Sequence, residues 1–486
     1  MRDQVQTQLL SETASQRPLC VDLDGTLVKS DTLVDSLLVL LRAHPRSFLQ
    51  TFRWVLDGKA ALKAQVGRVV SLDVAHLPYN RPLLTFLEQE HAQGRRIYLA
   101  TGADAKLARK IAAHIGLFDG VLASDGDKNL TGDHKLDGLR AEFGEDGFDY
   151  IGNADPDLPL LQHAGEAMLA NPHASLHTKL KSRKINIGRL FEDRASRRKA
   201  FLKAIRLHQW AKNVLIFVPL LLAHALKLPL ILHAILAFFC FSLCASATYV
   251  VNDLLDIEAD RRHPKKHLRP FAAGDLQVST GVAIVLVFLA AALAGALFLP
   301  IGFLGWLGLY LVVTLSYSLA LKRIVLVDVI LLSGLYTVRM LAGGAATNTD
   351  ISTWLAGFSV FLFFSLAMVK RFSELQNLRE RGSMPSNGRG YLVSDLEQLR
   401  SFGTASAYAA VVVFSLYISG SNVTALYAHP IRMWLIVPLM LLWISRVWLL
   451  ASRGEMNEDP VIFAVTDRMS LLIGLAVVAI AIFAAL

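Results

Sequence analysis

The most constraining feature of this chain is a series of long apolar runs that begins near residue 210 and continues to residue 486. A helix needs about 20 apolar residues to cross roughly 30 Å of hydrocarbon. Because lipid satisfies no backbone polar groups, such runs fold as membrane-spanning helices. The sequence therefore predicts an all-α membrane domain of nine transmembrane helices. The predicted segments are 213–226, 230–251, 280–298, 301–319, 325–343, 353–370, 404–421, 431–449 and 467–485.

The loops between these segments alternate in charge. Lys and Arg concentrate after the second, fourth, sixth and eighth segments and are almost absent from the other loops, except for Lys227. Since basic loops stay on the cytoplasmic side, we expect a multi-pass plasma-membrane protein with its N-terminus inside and its C-terminus outside. Basic loops beside anionic lipid also explain the net charge of +9 better than a nucleic-acid partner does.

The first 205 residues or so have the ordinary charged composition of a soluble domain. Short apolar runs at 19–23, 96–100, 120–124 and 149–152 alternate with helical stretches. This alternation predicts an α/β, Rossmann-like fold with a parallel, doubly wound sheet, and residues 31–80 look like a helical cap over the strand ends. The expected divisions are an α/β domain at 1–180, a basic linker or membrane-surface helix at 181–208, and the membrane domain at 209–486.

Two carboxylates end the first predicted strand, in the stretch Asp22-Leu23-Asp24-Gly25-Thr26. Side chains at positions i and i+2 of an extended chain point the same way, and a glycine permits the turn that follows. One carboxylate can attack phosphorus while the other protonates the leaving group beside a metal ion. The pattern resembles the haloacid dehalogenase superfamily of phosphohydrolases, which implies that Asp22 is the nucleophile and Asp24 the acid/base.

The rest of that superfamily's pattern follows in order along the chain. By resemblance, Thr101 and Gly102 bind the phosphoryl group and Lys135 neutralises it. The residues expected to hold Mg²⁺ are Asp22, Asp24, Asn153 and Asp157. The superfamily usually has Asp where Asn153 stands, and an amide brings an oxygen without a charge. Two hypotheses therefore stay open: an active phosphatase, or a decayed domain kept as a scaffold or sensor.

A second acidic cluster follows the second apolar run and contains Asn252, Asp253, Asp256 and Asp260. At 3.6 residues per helical turn these residues fall at about 0°, 100°, 40° and 80°, on one face. Acidic groups crowded on one face repel one another unless they hold cations. Mg²⁺ ions that bridge a diphosphate meet that need. The alternative is a solvated, charged helix end.

Basic residues follow directly, in Arg261-Arg262-His263-Pro264-Lys265-Lys266-His267-Leu268-Arg269-Pro270, and could bind phosphate oxygens. The combined stretch 252–270 resembles the UbiA superfamily of intramembrane prenyltransferases. The nine predicted segments fit that superfamily, as does Gln209-Trp210-Ala211-Lys212-Asn213 before the first of them. Asp328 and Arg339 lie almost three turns apart in the fifth segment. Ionisable groups in hydrocarbon usually line a functional cavity, although a structural ion pair between these two is the alternative.

A second Asp-rich motif of ordinary UbiA prenyltransferases is replaced here by Val369-Lys370-Arg371-Phe372-Ser373-Glu374. Two adjacent cations suit a site that holds an additional phosphate. Together with Glu458-Asp459-Pro460 and Asp467-Arg468, this stretch resembles the UbiA subgroup that includes decaprenyl-phosphate phosphoribosyltransferase. The resemblance implies Mg²⁺-dependent transfer of phosphoribose from phosphoribosyl diphosphate to a polyprenyl phosphate, with release of diphosphate, and membrane lipids as surroundings.

The resemblance also implies the roles of individual residues. Asp253, Asp256 and Asp260 are the expected catalytic residues, and with Asn252 they are the expected Mg²⁺ ligands. The residues expected to contact substrate are Lys212, Asn213, Asn252, Lys265, Lys266, Arg269, Asp328, Arg339, Lys370, Arg371 and Glu374. The α/β domain would then remove the 5-phosphate of the product. The open alternatives are a conventional prenyltransferase acting on an aromatic acceptor and a non-catalytic transporter or scaffold, and the oligomeric state stays open.

Overall fold

The computed structural model describes residues 17–125, 129–145, 147–380, 389–456 and 460–486. The chain forms two compact units. The first, called the α/β unit, comprises Met1–Ala204 together with Asp253–Ala283. The second, called the helical unit, comprises Ile205–Asn252 and Ile284–Leu486. The stretch Asp253–Ala283, called the loop segment, was expected to belong with the membrane domain, but it packs with the α/β unit.

A parallel sheet of six strands forms the centre of the α/β unit, in the order β3-β2-β1-β4-β5-β6. The strands are β1 (Leu19–Val21), β2 (Ile97–Asp104), β3 (Gly120–Ser124), β4 (Asp149–Gly152), β5 (Ala167–Ala170) and β6 (Ile187–Phe191). All pairings are parallel, which confirms the predicted doubly wound sheet. Ligands of such sheets bind at the carboxyl ends of the strands where the order reverses, and here that point lies beside β1.

Strands β1 to β4 correspond to the four predicted strands, whereas β5 and β6 were not predicted. β6 is an edge strand whose middle residues are exposed, and its position within a basic stretch made it look like part of a linker. The boundary expected at residue 180 therefore falls before the last strand of the sheet. A helix, Arg197–Ile205, does lie in the basic stretch, and its association with a membrane surface stays a prediction.

Helices surround the sheet. The expected cap at 31–80 consists of the helices Thr32–Ala43, Pro45–Phe48, Thr51–Leu56 and Lys59–Val69 and a 3-10 turn at Val74–His76. Asp31 begins the cap, because its carboxylate accepts hydrogen bonds from the amides of Leu33 and Val34 at 2.9 and 3.1 Å. Such side-chain capping satisfies amides that the helix leaves unpaired. The remaining helices around the sheet are Arg81–Ala92, Ala105–Ile115, Asp133–Phe143, Leu158–His163 and Ala174–Ser182.

Eight helices of the described residues are long and apolar enough to cross a membrane. They are Leu228–Leu255, Val278–Ala296, Ile301–Leu319, Val327–Thr347, Thr353–Glu380, Val393–Ile418, Pro430–Ser452 and Arg468–Ala485. The chain is thus a multi-pass integral membrane protein. Shorter elements are the helices Ile257–Arg262, Ser421–Thr424 and Pro460–Thr466 and the 3-10 turns Lys266–Leu268 and Leu321–Arg323.

The first of the nine predicted segments does not form a long α-helix. It consists of a 3-10 helix, Leu207–Phe217, followed by the short helix Val218–Leu222 with Pro219 in its first turn. Gly343 lets this segment approach the helix Val327–Thr347 closely, since a side chain at that glycine would collide with the Ile216 carbonyl. Because a 3-10 helix rises about 2.0 Å per residue rather than 1.5 Å, the two pieces together reach roughly 30 Å. A count of nine spans is therefore not confirmed, although this segment is about one bilayer core in length.

Candidate functional site

Asp22 and Asp24 lie just beyond the carboxyl end of β1, as predicted. The Asp22 carboxylate accepts from Lys135 Nζ at 2.7 Å through Oδ1 and from Thr26 Oγ1 at 3.3 Å through Oδ2. Asp24 Oδ1 accepts from the backbone amide of Thr32 at 2.7 Å, in the first turn of the cap. The two acidic groups are thus held by the sheet, by helix Asp133–Phe143 and by the cap.

Lys135 joins Asp22 to Asp157. Its ammonium lies 3.4 Å from Asp157 Oδ1 and donates to the Tyr150 hydroxyl at 3.0 Å. Asp157 Oδ1 also accepts from Tyr150 at 2.8 Å, while Oδ2 accepts from the amides of Asn153 and Ala154 at 3.0 and 3.1 Å. Both oxygens of Asp157 are therefore engaged in bracing the site, so its contacts do not favour the expected role of direct metal ligand.

Burial dominates the electrostatics of this site. It raises the pKa of Asp22 to about 6, although the Lys135 charge opposes the shift. Burial and the charge of Asp31 raise the pKa of Asp24 to about 7. Burial alone would lower the pKa of Lys135, but the carboxylates of Asp22 and Asp157 outweigh it and raise that pKa. A group whose pKa is shifted towards neutrality in a cleft is suited to acid–base work.

Asn153 lies at the same turn as the two carboxylates. A side chain at Gly25, whose φ is +80°, would collide with the Asn153 amide group. Among the described residues, no cluster of three His, Cys, Asp or Glu side chains is placed to hold a metal ion. A cation here would therefore rely on amide or backbone oxygens beside Asp22 and Asp24, and Mg²⁺ accepts such oxygen ligands. The residues present fit Mg²⁺, with less negative charge than an all-carboxylate site.

Thr101 and Gly102 lie inside β2 rather than at its end. The Thr101 hydroxyl is buried and accepts from the Ala103 amide at 3.0 Å. The Gly102 carbonyl accepts from Lys63 Nζ of the cap at 2.5 Å. Gly102 lines the cavity above Asp22, so of the two predicted phosphoryl-binding residues it is the one that the structure brings to the site.

The second acidic cluster lies in the loop segment. Asp253 Oδ1 and Asp260 Oδ2 accept from the same guanidinium nitrogen of Arg269, at 3.1 and 2.7 Å. Both carboxylates are buried. Burial raises the pKa of Asp260 even though Arg269 opposes the shift. Two carboxylates thus converge on one guanidinium, and the described residues bring no third His, Cys, Asp or Glu side chain into a metal-binding group with them. Carboxylate oxygens are ligands that Mg²⁺ accepts.

Asp256 lies at a break in the helix that was expected to carry the whole acidic cluster. The long helix ends at Leu255, and Asp256 is the cap residue of the next helix, Ile257–Arg262. The assumption of one continuous helix was therefore wrong. Asp256 Oδ1 instead forms an ion pair of 2.6 Å with Arg42 at the end of helix Thr32–Ala43, and Arg42 also donates to the Leu255 carbonyl at 3.0 Å.

The neighbouring basic residues differ in placement. Lys265 is exposed and Lys266 half-buried, and the charge of Lys266 helps to lower the pKa of Asp260 against the effect of burial. The backbone amides of both lysines donate to His263 Nδ1, at 3.1 and 3.2 Å. Lys266 and Arg269 are therefore the two predicted phosphate-binding cations that act on the acidic cluster.

In the helical unit, Asn213 and Arg339 form one buried group. Arg339 Nε donates to Asn213 Oδ1 at 2.8 Å, and Asn213 Nδ2 donates to Ser242 Oγ at 2.9 Å. The guanidinium faces the rings of Phe241, Tyr310 and Tyr336 at 5.7, 5.0 and 5.4 Å. Lys212 is also buried and lies 5.6 Å from the centre of the Tyr336 ring. This group, called the aromatic–cation cluster, comprises Lys212, Asn213, Phe241, Tyr310, Tyr336 and Arg339.

Asp328 and Arg339 do not pair with each other, which excludes the alternative of a structural ion pair between them. Asp328 Oδ2 accepts from Arg371 Nε at 2.6 Å, and Asp328 Oδ1 accepts from the Tyr391 hydroxyl at 2.5 Å. Arg371 Nη1 also pairs with Glu374 at 2.6 Å. The Arg371 side chain is 1% exposed. A guanidinium bound by two carboxylates holds helices together, so the expectation that Arg371 binds substrate phosphate is not supported by its contacts.

The other predicted residues of the helical unit have more open positions. Asn252 Oδ1 accepts from Lys322 Nζ at 3.3 Å. Lys370 is half-buried beside Arg371, and Glu374 also lies 3.8 Å from Arg389. Glu458 and Asp459 lie outside the described residues. Asp467 caps the last long helix and pairs with Arg446 at 2.6 Å.

Sequence reasoning missed several residues of these sites. Arg42 gave no signal, because a basic residue in the last turn of a helix is ordinary and its partner lies more than 200 positions away. Tyr150, Tyr310 and Tyr391 were not predicted. The hydroxyls of Tyr150 and Tyr310 accept from Lys135 and Arg339, and the hydroxyl of Tyr391 donates to Asp328. Each of these contacts joins two separate segments of the chain, so no spacing within one element could have indicated it.

Comparison with known proteins adds the following similarities. Residues 214–472 match the UbiA prenyltransferase family. The uncharacterized protein y4nM of Sinorhizobium fredii is 39% identical over 461 residues, which cover 94% of this chain and 89% of that protein. Nodulation protein NoeC of Azorhizobium caulinodans is 37% identical over 280 residues, or 57% and 91% of the two chains. Decaprenyl-phosphate phosphoribosyltransferase of Mycobacterium tuberculosis is 35% identical over 223 residues, or 44% and 72%.

Proposed function

We propose that this chain, which belongs to the UbiA prenyltransferase family, transfers phosphoribose from phosphoribosyl diphosphate to a polyprenyl phosphate and releases diphosphate. The observation that carries the proposal is the convergence of the Asp253 and Asp260 carboxylates on one nitrogen of Arg269. The choice of donor is supported by the similarity to the mycobacterial relative named for that reaction. It is also supported by the half-buried Lys370, which stands where a second acidic motif would serve a prenyl diphosphate donor.

Asp253 and Asp260 would hold Mg²⁺, which when bound neutralises charge on a departing diphosphate. Arg269 and Lys266, which already act on these carboxylates, bind phosphate oxygens of the donor. The polyprenyl phosphate contributes the attacking oxygen: its bond to ribose C1 forms as the bond from C1 to the diphosphate breaks. The proton count does not change, because the phosphate attacks as an anion. We place the α/β unit on the cytoplasmic side, because Lys and Arg concentrate in the loops after the second, fourth, sixth and eighth predicted segments, on the same side of the membrane as the N-terminus.

The α/β unit then acts as a phosphomonoesterase on the lipid product. Asp22 attacks phosphorus, the ester bond to the ribose oxygen breaks, and Asp24 gives that oxygen a proton. Water next attacks the phosphorylated Asp22 and returns a proton to Asp24, which releases inorganic phosphate. Lys135, 2.7 Å from Asp22, stabilises the phosphoryl oxygens. Fusion of the two activities raises the effective concentration of the product at the second site.

The transfer reaction is tested with purified full-length protein, radiolabelled phosphoribosyl diphosphate, Mg²⁺ and decaprenyl phosphate. We expect label in the lipid fraction, and Asp260→Asn should abolish it because the cation site loses one of two carboxylates. The matched control is Glu258→Gln, since Glu258 pairs with the exposed Arg262 at the protein surface. Transfer from a prenyl diphosphate to an aromatic acceptor, with no label from phosphoribosyl diphosphate, would establish the conventional prenyltransferase instead.

The phosphatase step is tested on the same lipid product by mass spectrometry. Wild-type protein should accumulate the dephosphorylated lipid, whereas Asp22→Asn should accumulate the 5-phosphate without loss of transfer. Asp137→Asn, an exposed position of helix Asp133–Phe143, is the control. Equal accumulation of the 5-phosphate in wild-type protein and Asp22→Asn would identify the α/β unit as a scaffold or sensor.

A further inference from the structure

A cavity of about 520 Å³ opens above the carboxyl ends of the strands in the α/β unit. Asp22, Asp24 and Lys135 line one part of it, and Lys29, His173 and Arg194 line another. A third part of the wall comes from the loop segment, through the apolar side chains of Ile257, Phe271, Leu276 and Val278. The cavity therefore offers a phosphomonoester site, further cations and an apolar surface, and its volume is far larger than one phosphate needs.

The loop segment is firmly seated as part of this wall. Arg261 pairs with Asp35 of the cap at 2.8 Å, and the two side chains are 4% and 1% exposed. Arg261 Nη2 also donates to Ser30 Oγ at 3.0 Å. The Asp275 carboxylate accepts from the Ala195 amide at 3.1 Å. Gly274 packs directly against Lys29, since a Cβ atom added to this glycine would lie 2.6 Å from Lys29 Cβ.

Arg194 has hydrogen-bonding capacity that the described residues do not use. Its Nη2 donates to the Lys29 carbonyl at 2.9 Å, whereas its Nε is buried and has no hydrogen-bond partner among the described residues. A buried donor without a partner costs free energy, and a guanidinium is the side chain best suited to a phosphate. Lys29, whose ammonium lies 3.6 Å from Asp193, adds a second positive charge to the same part of the cavity.

We infer that this cavity binds an amphiphile that carries two phosphate groups. A phosphomonoester lies at Asp22, a second phosphate, in diester linkage, lies at Arg194 and Lys29, and an apolar chain lies against Leu276 and Val278 of the loop segment. The inference rests on the proposed phosphomonoesterase of the α/β unit and specifies its substrate class. Small soluble sugar phosphates, which lack the diester and the chain, fill only the first of these three positions.

Three probes separate the contributions. The first is ribose 5-phosphate, the second is ribose 5-phosphate with farnesyl linked directly at C1, and the third carries farnesyl phosphate at C1. Release of inorganic phosphate by the full-length protein in detergent gives kcat/KM for each. We expect the third probe to exceed the second by about tenfold, the effect of one added charge-assisted contact, and the second to exceed the first.

Arg194→Gln should lower the ratio of kcat/KM for the third probe to that for the second by about tenfold, and Arg194→Lys should restore part of it. Arg198→Gln, an exposed position of the neighbouring helix, should leave all three values as in the wild-type protein. Leu276→Gln should reduce the advantage of the second probe over the first. An unchanged ratio in Arg194→Gln, or equal values for the second and third probes, would overturn the inference.

A protein that lacks phosphatase activity is distinguishable from one whose cavity does not bind the two-phosphate amphiphile. If no probe releases phosphate, calorimetric binding of the third probe to Asp22→Asn decides the matter. Binding that Arg194→Gln weakens supports the two-phosphate cavity and rejects only the phosphomonoesterase. Binding that does not depend on Arg194, or no binding, rejects the cavity assignment as well.

Discussion

Two buried arginines of the helical unit, Arg371 and Arg339, carry the same charge in opposite surroundings. Arg371 is bound by the carboxylates of Asp328 and Glu374, each at 2.6 Å. Arg339 has an amide, a hydroxyl and aromatic rings as partners, and the described residues give it no carboxylate. A buried charge that is neutralised serves the fold, whereas one that is not neutralised favours the binding of an anion. The comparison therefore predicts which arginine governs stability and which governs substrate binding.

The largest effect is expected for Arg371→Ala. This change leaves Asp328, which is fully buried, without its cation, and breaking a buried pair costs about 3–5 kcal/mol. The measurement is the fraction of monodisperse protein that survives heating in detergent. Arg379→Ala, at the exposed end of the same helix, is the control. A variant that stays folded but loses transfer activity would move Arg371 into the substrate site and break the comparison.

The next largest effect is expected to be a pH dependence of thermal stability. It comes from the turn at Asp22 and Asp24, where negative charge is in excess. Burial raises their pKa values from the ordinary 3.8 to about 6 and about 7. The stability that these groups contribute is complete below pH 3.8 and is lost as the pH rises through 6 and 7. We expect the melting temperature of the α/β unit without Mg²⁺ to fall between about pH 4 and about pH 7 and to level off above that range.

The same turn provides the control for that prediction. Asp24→Asn removes one of the two titrating groups and should flatten the pH dependence of the melting temperature. Mg²⁺ should raise the melting temperature more at high pH than at low pH, because protons compete for the same oxygens. A melting temperature that rises with pH over this range would mean that the two carboxyl groups are charged and stabilised in the folded protein, contrary to the upward pKa shifts that burial causes.

A smaller effect is expected for Arg339→Gln. The glutamine keeps a donor for Asn213 but removes the charge of the aromatic–cation cluster. We expect KM for the polyprenyl phosphate to rise about tenfold, or about 1.4 kcal/mol, with little loss of thermal stability. A fall in stability as large as that of Arg371→Ala would show that Arg339 also serves the fold.

The smallest effect is expected for Tyr391→Phe. The change removes the hydroxyl that donates to Asp328 at 2.5 Å, while Arg371 continues to neutralise that carboxylate. A loss of about 1 kcal/mol in stability is the usual size for one such hydrogen bond, and transfer kinetics should not change. Tyr310→Phe is the matched variant at Arg339, and it should affect KM more than stability.

Much of the fold followed from periodicity and apolar length, and the exceptions have local causes. β1 to β4 are apolar runs, whereas β6 is a half-exposed edge strand with Gly188 and Arg189 in it, so nothing in its sequence distinguished it from a linker. The first membrane segment has the right composition, but its 3-10 geometry depends on packing such as that at Gly343. Local composition does not report such tertiary effects.

The sites followed from sequence wherever spacing along one element decided the geometry. Asp22 and Asp24 lie two positions apart on one strand end, whereas Asp253 and Asp260 lie on two helices and still converge on Arg269. The assumption of one continuous helix through Asp256 was wrong, because the helix stops at Leu255. The alternative of an ion pair between Asp328 and Arg339 also fails, because the register between neighbouring helices selects Arg371 as the partner of Asp328. Pairings between elements depend on that register, which no spacing within one element encodes.

The seating of the loop segment against the cap has a consequence for how such a protein can be divided. A break at the domain junction near residue 205 would produce one polypeptide that ends in an open groove and another that carries the missing wall on a loop between two membrane helices. Arg261 would then expose its charge and Asp35 would be left without its counter-ion, so neither product is complete alone. Division at that junction would therefore separate the cavity of the α/β unit from part of its own wall.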